Sequence, residues 1–220
     1  MTPSKAVVGA VLFDFDGTLA DTAPDLAAAV NRMLKDQGHE ALPLERLRPF
    51  SSAGARGLLQ AAFGVKPDDP DYAAMRETFL GFYGEHVCQK TKLFPGIAEL
   101  LAELKRRGLR WGIVTNKSTR FTNQIVVALR LQPDCVACGD TTPHLKPHPA
   151  SLFHAAEQLK LPPASCLYLG DDLRDMRAAQ AAGMRPIAVD WGYHHPESGG
   201  PGTWEAETVI AHPLDLLRHL

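Results

Sequence analysis

The sequence predicts an α/β fold, namely a Rossmann-like parallel sheet core with an inserted helical cap. Apolar runs alternate with helical patterns through most of the chain, as in parallel sheets covered by helices. Residues 22–92 interrupt this alternation because they lack convincing strand patterns. The first apolar run leads directly into Asp14 and Asp16, two carboxylates in a glycine turn. Burial of two neighbouring carboxylates is unfavourable unless a cation or a reaction requires them.

Six strands are predicted from short apolar runs. The first, at residues 6–13, is almost continuously apolar, which is typical of a strand covered on both faces. The others are predicted at 110–115, 134–138, 165–169, 185–189 and, for a short sixth strand, 208–210.

The helices are predicted between these strands. Ile97, Leu100 and Leu104 recur at helical spacing, and Gly108 is placed to end that helix. Further helices are predicted at residues 119–130, 149–160, 174–182 and 213–219.

The strand-free region is predicted to be a helical insert. Thr22 and Asp25 have the spacing of a capping box, and an apolar stripe follows them. Further helical segments are predicted at residues 43–50, 55–63 and 71–87. We therefore expect a core of residues 1–20 and 93–220 and a cap of residues 21–92. Ligands of open α/β sheets bind at the carboxyl ends of the strands, where the insert leaves the core.

Composition limits the classes of function. The 220 residues include 23 basic and 25 acidic side chains, a net charge of −2, which favours neither nucleic acid nor an anionic membrane as a partner. No apolar run approaches the ~20 residues of a membrane helix, and the N-terminus lacks a signal-peptide pattern, so we expect a cytoplasmic protein. The four cysteines are expected to be free thiols, because the lone Cys135–Cys138 pair has no second pair to complete a zinc site. The oligomeric state is not indicated.

Polar residues of complementary types follow four of the predicted strands or lie in the loops between them. A carboxylate pair, a hydroxyl, an ammonium group and further carboxylates occur in that order: Asp14, Asp16, Thr115, Asn116, Lys146, Asp171, Asp172 and Asp175. Transfer of a phosphoryl group needs an in-line nucleophile, positive charge near the phosphate oxygens and a proton for the leaving group. The pattern therefore predicts an enzyme that acts on a small phosphate ester.

These four segments resemble the motifs of the haloacid dehalogenase (HAD) superfamily, and the insert resembles its type-one cap. The resemblance implies that Asp14 is a nucleophile that becomes an aspartyl phosphate and that Asp16 is the general acid and base. It implies that Thr115 holds a phosphoryl oxygen with Asn116 beside it as a substrate contact, and that Lys146 pairs with Asp14. It also implies a Mg²⁺ site formed by Asp14, the main-chain carbonyl of Asp16 and Asp171. Asp175, and Asp172 less clearly, would support the site from behind.

The resemblance leaves the substrate open. The motif layout resembles bacterial phosphoglycolate phosphatases, whereas finer details, such as 54–56, 92–96 and 170–175, resemble N-acetylmuramic acid 6-phosphate phosphatases. Both substrates carry a carboxylate, which Arg56 is expected to bind, although a solvent-facing arginine at a helix start is an equal alternative. Ser51 and Ser52 would contact substrate or cap the next helix.

The same residues bear on three other activities. A dehalogenase does not need Asp16, because it has no phosphate leaving group to protonate, whereas a sugar phosphomutase keeps both carboxylates and stays an alternative. A phosphate-binding protein without catalysis is disfavoured, since every expected catalytic position is filled. Trp191, His194 and His195 follow the fifth strand and are interpreted as loop residues, site residues or a subunit contact.

Overall fold

The computed structural model describes residues 7–220, and its centre is a six-stranded parallel sheet. The strands lie in the spatial order β5-β4-β1-β6-β7-β8. Their bounds are β1 Ala10–Phe13, β4 Arg110–Val114, β5 Cys135–Ala137, β6 Cys166–Gly170, β7 Arg185–Val189 and β8 Thr208–Ile210. All six predicted strands are present. The first is shorter than predicted, and position 6 of that prediction lies outside the described residues.

Alternating side chains of β1 enter two hydrophobic cores. Val11 and Phe13 pack on one face of the sheet with α5 (Ile97–Arg106) and α6 (Thr119–Ala128). Leu12 packs on the other face with α7 (Ala150–Leu159) and α8 (Leu173–Ala182). Both faces are therefore covered, which explains why the strand is a continuous apolar run.

Two predictions about helix ends had different outcomes. Gly108, two residues after the last residue of α5, has a φ of +68°, a left-handed conformation that ends the helix as the sequence predicted. The predicted helix at 213–219 is instead a 3₁₀ helix, Pro213–Arg218. None of the helices in residues 7–220 is long and apolar enough to cross a bilayer.

The insert contains α1 (Ala23–Asp36), α2 (Leu44–Leu47), a 3₁₀ turn (Arg48–Ala53), α3 (Gly54–Phe63) and α4 (Tyr72–Glu85). Their buried side chains form a separate hydrophobic cluster that includes Val30, Leu58 and Phe79. The predicted helix at 43–50 is thus split into α2 and the 3₁₀ turn. Where the chain enters and leaves this region, β2 (Ala20–Asp21) pairs antiparallel with β3 (Lys92–Leu93), a short ribbon that the sequence analysis missed.

The capping box expected at the start of α1 is wrong. The Asp25 carboxylate accepts hydrogen bonds from the backbone N–H groups of Lys90 and Thr91, where the chain leaves the insert. The hydroxyl of Tyr193, from the loop after β7, accepts from the backbone N–H groups of Thr22 and Ala23 instead. The hydroxyl of the distant Tyr193 therefore caps α1. The Asp25 carboxylate instead links the start of the insert to the segment where the chain leaves it.

Candidate active site

The predicted site residues that follow β1, β4 and β6 meet at one edge of the sheet. Asp14 directly follows β1, Thr115 follows β4 and Asp171 follows β6. Their side chains adjoin because β1 pairs with both β4 and β6 in parallel. Carboxylate oxygens of Asp14, Asp171 and Asp175 lie within 4.8 Å of one another. The edge thus gathers three buried acidic groups.

Lys146 lies between two of these carboxylates. Its Nζ donates to Asp14 Oδ1 at 2.8 Å and to Asp175 Oδ1 at 2.7 Å, and it also contacts the Tyr168 hydroxyl at 2.7 Å. Burial alone would lower the pKa of this ammonium group, but the charges of Asp14 and Asp175 raise it above the usual lysine value. Lys146 is therefore charged at neutral pH and partly offsets the acidic cluster.

Asn116 holds the backbone on both sides of the Lys146 residue. Its amide Nδ2 donates to the Lys146 carbonyl at 3.0 Å, and its Oδ1 accepts from the Lys146 N–H at 2.9 Å. Asn116 also lines the cavity described below, but its amide is used to position the lysine loop. Thr115 is buried, and its hydroxyl oxygen accepts from the Lys117 N–H at 3.2 Å.

Asp171 is buried among groups that disfavour its charge. Burial raises its pKa well above the usual range, and the neighbouring Asp14 and Asp175 raise it further. The backbone N–H of Tyr193 and the hydroxyl of Ser52 each donate to Asp171 Oδ2 at 2.9 Å and partly oppose this rise. Another source of positive charge would favour the ionised form.

Glycine is required on two sides of this carboxylate. A Cβ atom added to Gly17 would lie 2.1 Å from Asp171 Oδ2, and one added to Gly192 would lie 2.1 Å from Asp171 Cβ. Gly17 also has a φ of +87°, the left-handed conformation that glycine adopts most easily. The chain therefore closes tightly around Asp171.

Asp16 forms an ion pair that the sequence analysis missed. Lys117 Nζ donates to the two carboxylate oxygens of Asp16 at 2.9 and 3.0 Å. The Thr22 hydroxyl also donates to Asp16 Oδ1. Lys117 is buried, which lowers its pKa, but Asp16 and Tyr83 raise it by more. Its position directly after Thr115 and Asn116 at the same strand end was the available signal.

Asp172 and Asp175 form the start of α8. The Asp172 side chain accepts from the Arg174 N–H, and the Asp175 side chain accepts from the Asp172 N–H, so the two form a capping box. Asp172 also forms an ion pair with Arg174, whose Nη2 donates to the Ser52 carbonyl at 3.0 Å. Burial raises the pKa of Asp175 to about 7, against the opposing charge of Lys146.

A cavity of about 520 Å³ separates this cluster from the helices of the insert. Its wall includes Asp14, Asp16 and Lys146 on one side and Arg56 and residues of α4 on the other. The structure therefore places Arg56 in the same cavity as the acidic cluster. Ser52 reaches Asp171, whereas the Ser51 hydroxyl is buried and donates to the Leu47 carbonyl.

The loop after β7 packs against the segment that follows β1. Trp191 Nε1 donates to the Thr18 carbonyl at 3.0 Å, and His194 Nε2 lies 2.9 Å from the Val189 carbonyl oxygen. The His195 ring contacts Phe50 edge-on. These residues stabilise the loop that carries Tyr193.

All four cysteines, including Cys135 and Cys138, are free.

Comparisons with known proteins identify the relatives of this chain. The sequence profile of the haloacid dehalogenase-like hydrolases matches residues 11–189. The chain is 43% identical to an N-acetylmuramic acid 6-phosphate phosphatase of Pseudomonas putida, with 94% of this chain and 93% of the relative covered. It is 40% identical to a phosphoglycolate phosphatase of Xanthomonas campestris pv. campestris, with 94% of each chain covered.

A solved structure has the same fold. The crystal structure of a predicted phosphoglycolate phosphatase from Haemophilus somnus superposes with a TM-score of 0.85 and 26% identity, covering 98% of this chain and 99% of that one. Together with the profile match, these relatives show that the chain belongs to the haloacid dehalogenase-like hydrolase family.

Proposed function

We propose that this protein is a magnesium-dependent phosphomonoesterase that hydrolyses a small, carboxylated phosphate ester such as 2-phosphoglycolate through an aspartyl-phosphate intermediate. The observation that carries the proposal is the environment of Asp14. Its carboxylate lies 2.8 Å from the ammonium group of Lys146 and within 4.8 Å of carboxylate oxygens of Asp171 and Asp175. This arrangement combines a nucleophile with an ammonium group for the phosphate dianion and with acidic oxygens that would hold a metal ion.

In the proposed reaction, an Asp14 carboxylate oxygen attacks phosphorus and the ester oxygen leaves. Asp16 would have to be protonated in the enzyme–substrate complex; it gives that proton to the leaving oxygen, and the resulting carboxylate then accepts one from the water that hydrolyses the acyl phosphate. Lys117 holds the Asp16 carboxylate in position by contacting both of its oxygens. The Thr115 hydroxyl and the Lys146 ammonium group would bind phosphoryl oxygens, while Asn116 keeps the lysine loop in place.

The buried acidic residues fit a magnesium ion. Oxygen ligands are those that Mg²⁺ prefers, and a cation here would oppose the burial and the charges of Asp14 and Asp175 that raise the pKa of Asp171. The carboxylates of Asp14 and Asp171 and the main-chain carbonyl of Asp16 would hold the ion. Asp175 is less available, because its Oδ1 accepts from Lys146 and Tyr168 and its Oδ2 accepts from the Asp172 N–H. When bound, the ion supplies positive charge that offsets the phosphate oxygens.

The insert of residues 21–92 is proposed to act as a cap domain. The β2–β3 ribbon lies at both chain crossings, where a small change in backbone angles would move the cap against the core. Closure would exclude water from the first transfer and would bring Arg56 toward a substrate carboxylate. A cytoplasmic location fits the four free thiols, since the cytoplasm keeps cysteines reduced.

Two alternatives share these residues. N-acetylmuramic acid 6-phosphate is the substrate named for the Pseudomonas putida relative. A sugar phosphomutase would also use both Asp14 and Asp16. A panel of kcat/KM values for 2-phosphoglycolate, N-acetylmuramate 6-phosphate, hexose phosphates and nucleotides separates the three.

The chemistry itself is tested with a chromogenic aryl phosphate. We expect turnover that requires Mg²⁺ and stops with excess chelator. The variant Asp14→Asn should lose nearly all turnover while it stays folded, as a cooperative melting curve would show. Activity that persists in chelator would refute the metal assignment, and an active Asp14→Asn variant would remove Asp14 from the nucleophile role.

A further inference from the structure

One face of α4 forms a wall of the cavity. Five residues of this helix line the cavity at spacings of three or four along the chain or next to one another: Tyr72, Arg76, Phe79, Leu80 and Tyr83. Such spacing places side chains on one side of a helix. The catalytic roles proposed above use none of them, although they occupy the side of the cavity that faces the acidic cluster.

The Tyr83 end of this face lies at the catalytic end of the cavity. Lys117 Nζ, which binds Asp16, is 5.0 Å from the centroid of the Tyr83 ring. The Tyr83 hydroxyl is shielded from solvent and interacts with the Lys117 ammonium group. Burial raises its pKa to about 12, so it is a neutral hydroxyl group. Its O–H has no acceptor within residues 7–220, and a bound ligand oxygen would supply one.

The Arg76 end lies farther from the catalytic residues. Seven residues separate Arg76 from Tyr83, which corresponds to about 10 Å along a helix. Because helical side chains lean toward the N-terminus, both side chains lean in the same direction and the separation along the helix is kept. The phosphate end of a ligand and its contact with Arg76 are therefore separated by about two helical turns.

Two arginines in this part of the cavity wall have no partner. Arg56 and Arg76 are exposed, and neither forms an ion pair or hydrogen bond within the described residues. By contrast, Arg48 pairs with Asp21, and Arg174 pairs with Asp172. A guanidinium group that faces a cavity without a carboxylate of its own is suited to bind one from a ligand.

We propose that the cavity-facing side of α4 is the specificity surface and that Arg76, together with Arg56, binds a carboxylate at the far end of a ring-sized substrate. The inference rests on the proposed phosphatase activity, and within that activity it favours a ring-sized carboxylated ester, such as N-acetylmuramate 6-phosphate, over 2-phosphoglycolate. Phe79 and Leu80 would contact the apolar face of the ring, and Tyr83 would bind one of its oxygens. In a two-carbon acid, phosphorus and the carboxylate carbon are only about 4 Å apart, too short to span the two ends.

The test compares two sugar phosphates, one with and one without a carboxylate-bearing lactyl group. N-acetylmuramate 6-phosphate carries a lactyl carboxylate that N-acetylglucosamine 6-phosphate lacks. We expect the wild type to favour the carboxylated sugar by at least tenfold in kcat/KM, and we expect Arg76→Gln to lower that ratio by tenfold or more. One charged hydrogen bond is sufficient for a change of this size. Arg46→Gln is the matched control, because Arg46 is an exposed arginine of α2 outside the cavity, and its ratio should equal the wild-type ratio.

The outcomes separate this inference from the activity on which it rests. An unchanged ratio in Arg76→Gln, or a wild type that prefers 2-phosphoglycolate to the carboxylated sugar, overturns the specificity surface while aryl phosphate turnover preserves the phosphatase. A wild type that hydrolyses no phosphate ester, aryl phosphate included, overturns both. Direct binding to the Asp14→Asn variant by calorimetry gives a readout independent of turnover: Arg76→Gln in that background should weaken binding of the carboxylated sugar by tenfold or more, and equal affinity contradicts the proposal.

Discussion

Replacement of Lys146 with methionine should destabilise the protein strongly. Its side chain is 3% exposed, and those of its partners Asp14 and Asp175 are 11% and 2% exposed. Removal of one partner from a buried ion pair costs about 3–5 kcal/mol, since the remaining charges lose their compensation, whereas a surface pair contributes about 0.2–1 kcal/mol. In a protein of this size each kcal/mol corresponds to roughly 2–4 °C, so the melting temperature should fall by roughly 6–20 °C.

The assay is thermal unfolding followed by circular dichroism at neutral pH, with chelator present so that no divalent ion compensates for the lost charge. Lys105→Met is the matched control, because Lys105 is exposed and its side chain forms no ion pair or hydrogen bond within residues 7–220. The double variant Lys146→Met/Asp175→Asn should melt above Lys146→Met, since it removes one of the stranded carboxylates. A melting temperature of Lys146→Met equal to that of the control, or a further fall in the double variant, would refute the reasoning.

Three other predictions follow from the same site and its surroundings. Mg²⁺ at about 100 times its Kd should stabilise the wild type by about 2.7 kcal/mol, which is measured as a rise in melting temperature. Asp171→Asn should abolish that rise, and an equal rise in the variant would contradict the metal assignment. Gly192→Ala should abolish Mg²⁺-dependent turnover, because the added Cβ would lie 2.1 Å from Asp171 Cβ. Gly202→Ala, whose added Cβ has no atom within 4 Å, should retain turnover. Equal activities of the two variants would count against the tight packing of the chain around Asp171. Burial raises the pKa of Cys135 to about 12, so its thiol should resist alkylation at pH 8 in the native protein, as measured by mass spectrometry. Because this pKa is raised in the folded protein, the stabilising contribution of the neutral thiol is fully present below its unfolded pKa of ~8.5 and is lost as the pH rises toward 12. Rapid alkylation of Cys135 in the native protein would contradict the raised pKa.

The sequence predicted the catalytic cluster because it depends on a general property of parallel sheets. Apolar runs identified the strands, and the carboxyl ends of neighbouring parallel strands meet at one edge. The proximity of Asp14, Lys146 and Asp171 therefore needed only the order of the motifs. Their roles as nucleophile, positioning cation and metal ligand stay predictions until they are tested.

Contacts between distant positions could not be predicted in this way. Lys117 and Asp16 are 101 residues apart, and Tyr193 and Thr22 are 171 residues apart. The Thr22–Asp25 spacing favoured a local capping box, but Asp25 bonds to the other chain crossing because that segment offers it two backbone N–H groups and a hydroxyl. The tertiary hydrogen bonds of Asp25 therefore outweighed its local preference for a capping box, and no pattern in a single sequence encodes such bonds.

Contacts between the insert and the core converge on Asp171. The Ser52 hydroxyl donates to Asp171, and Arg174 binds the Ser52 carbonyl while it pairs with Asp172, the next residue of the core. Tyr193 bonds to Asp171 through its backbone N–H and to the start of α1 through its hydroxyl. A displacement of the insert would therefore remove the Ser52 hydrogen bond from the buried Asp171 carboxylate. Since one such hydrogen bond contributes about 1 kcal/mol, the position of the insert and the charge balance at Asp171 are coupled only weakly, so a bound ligand could shift either one.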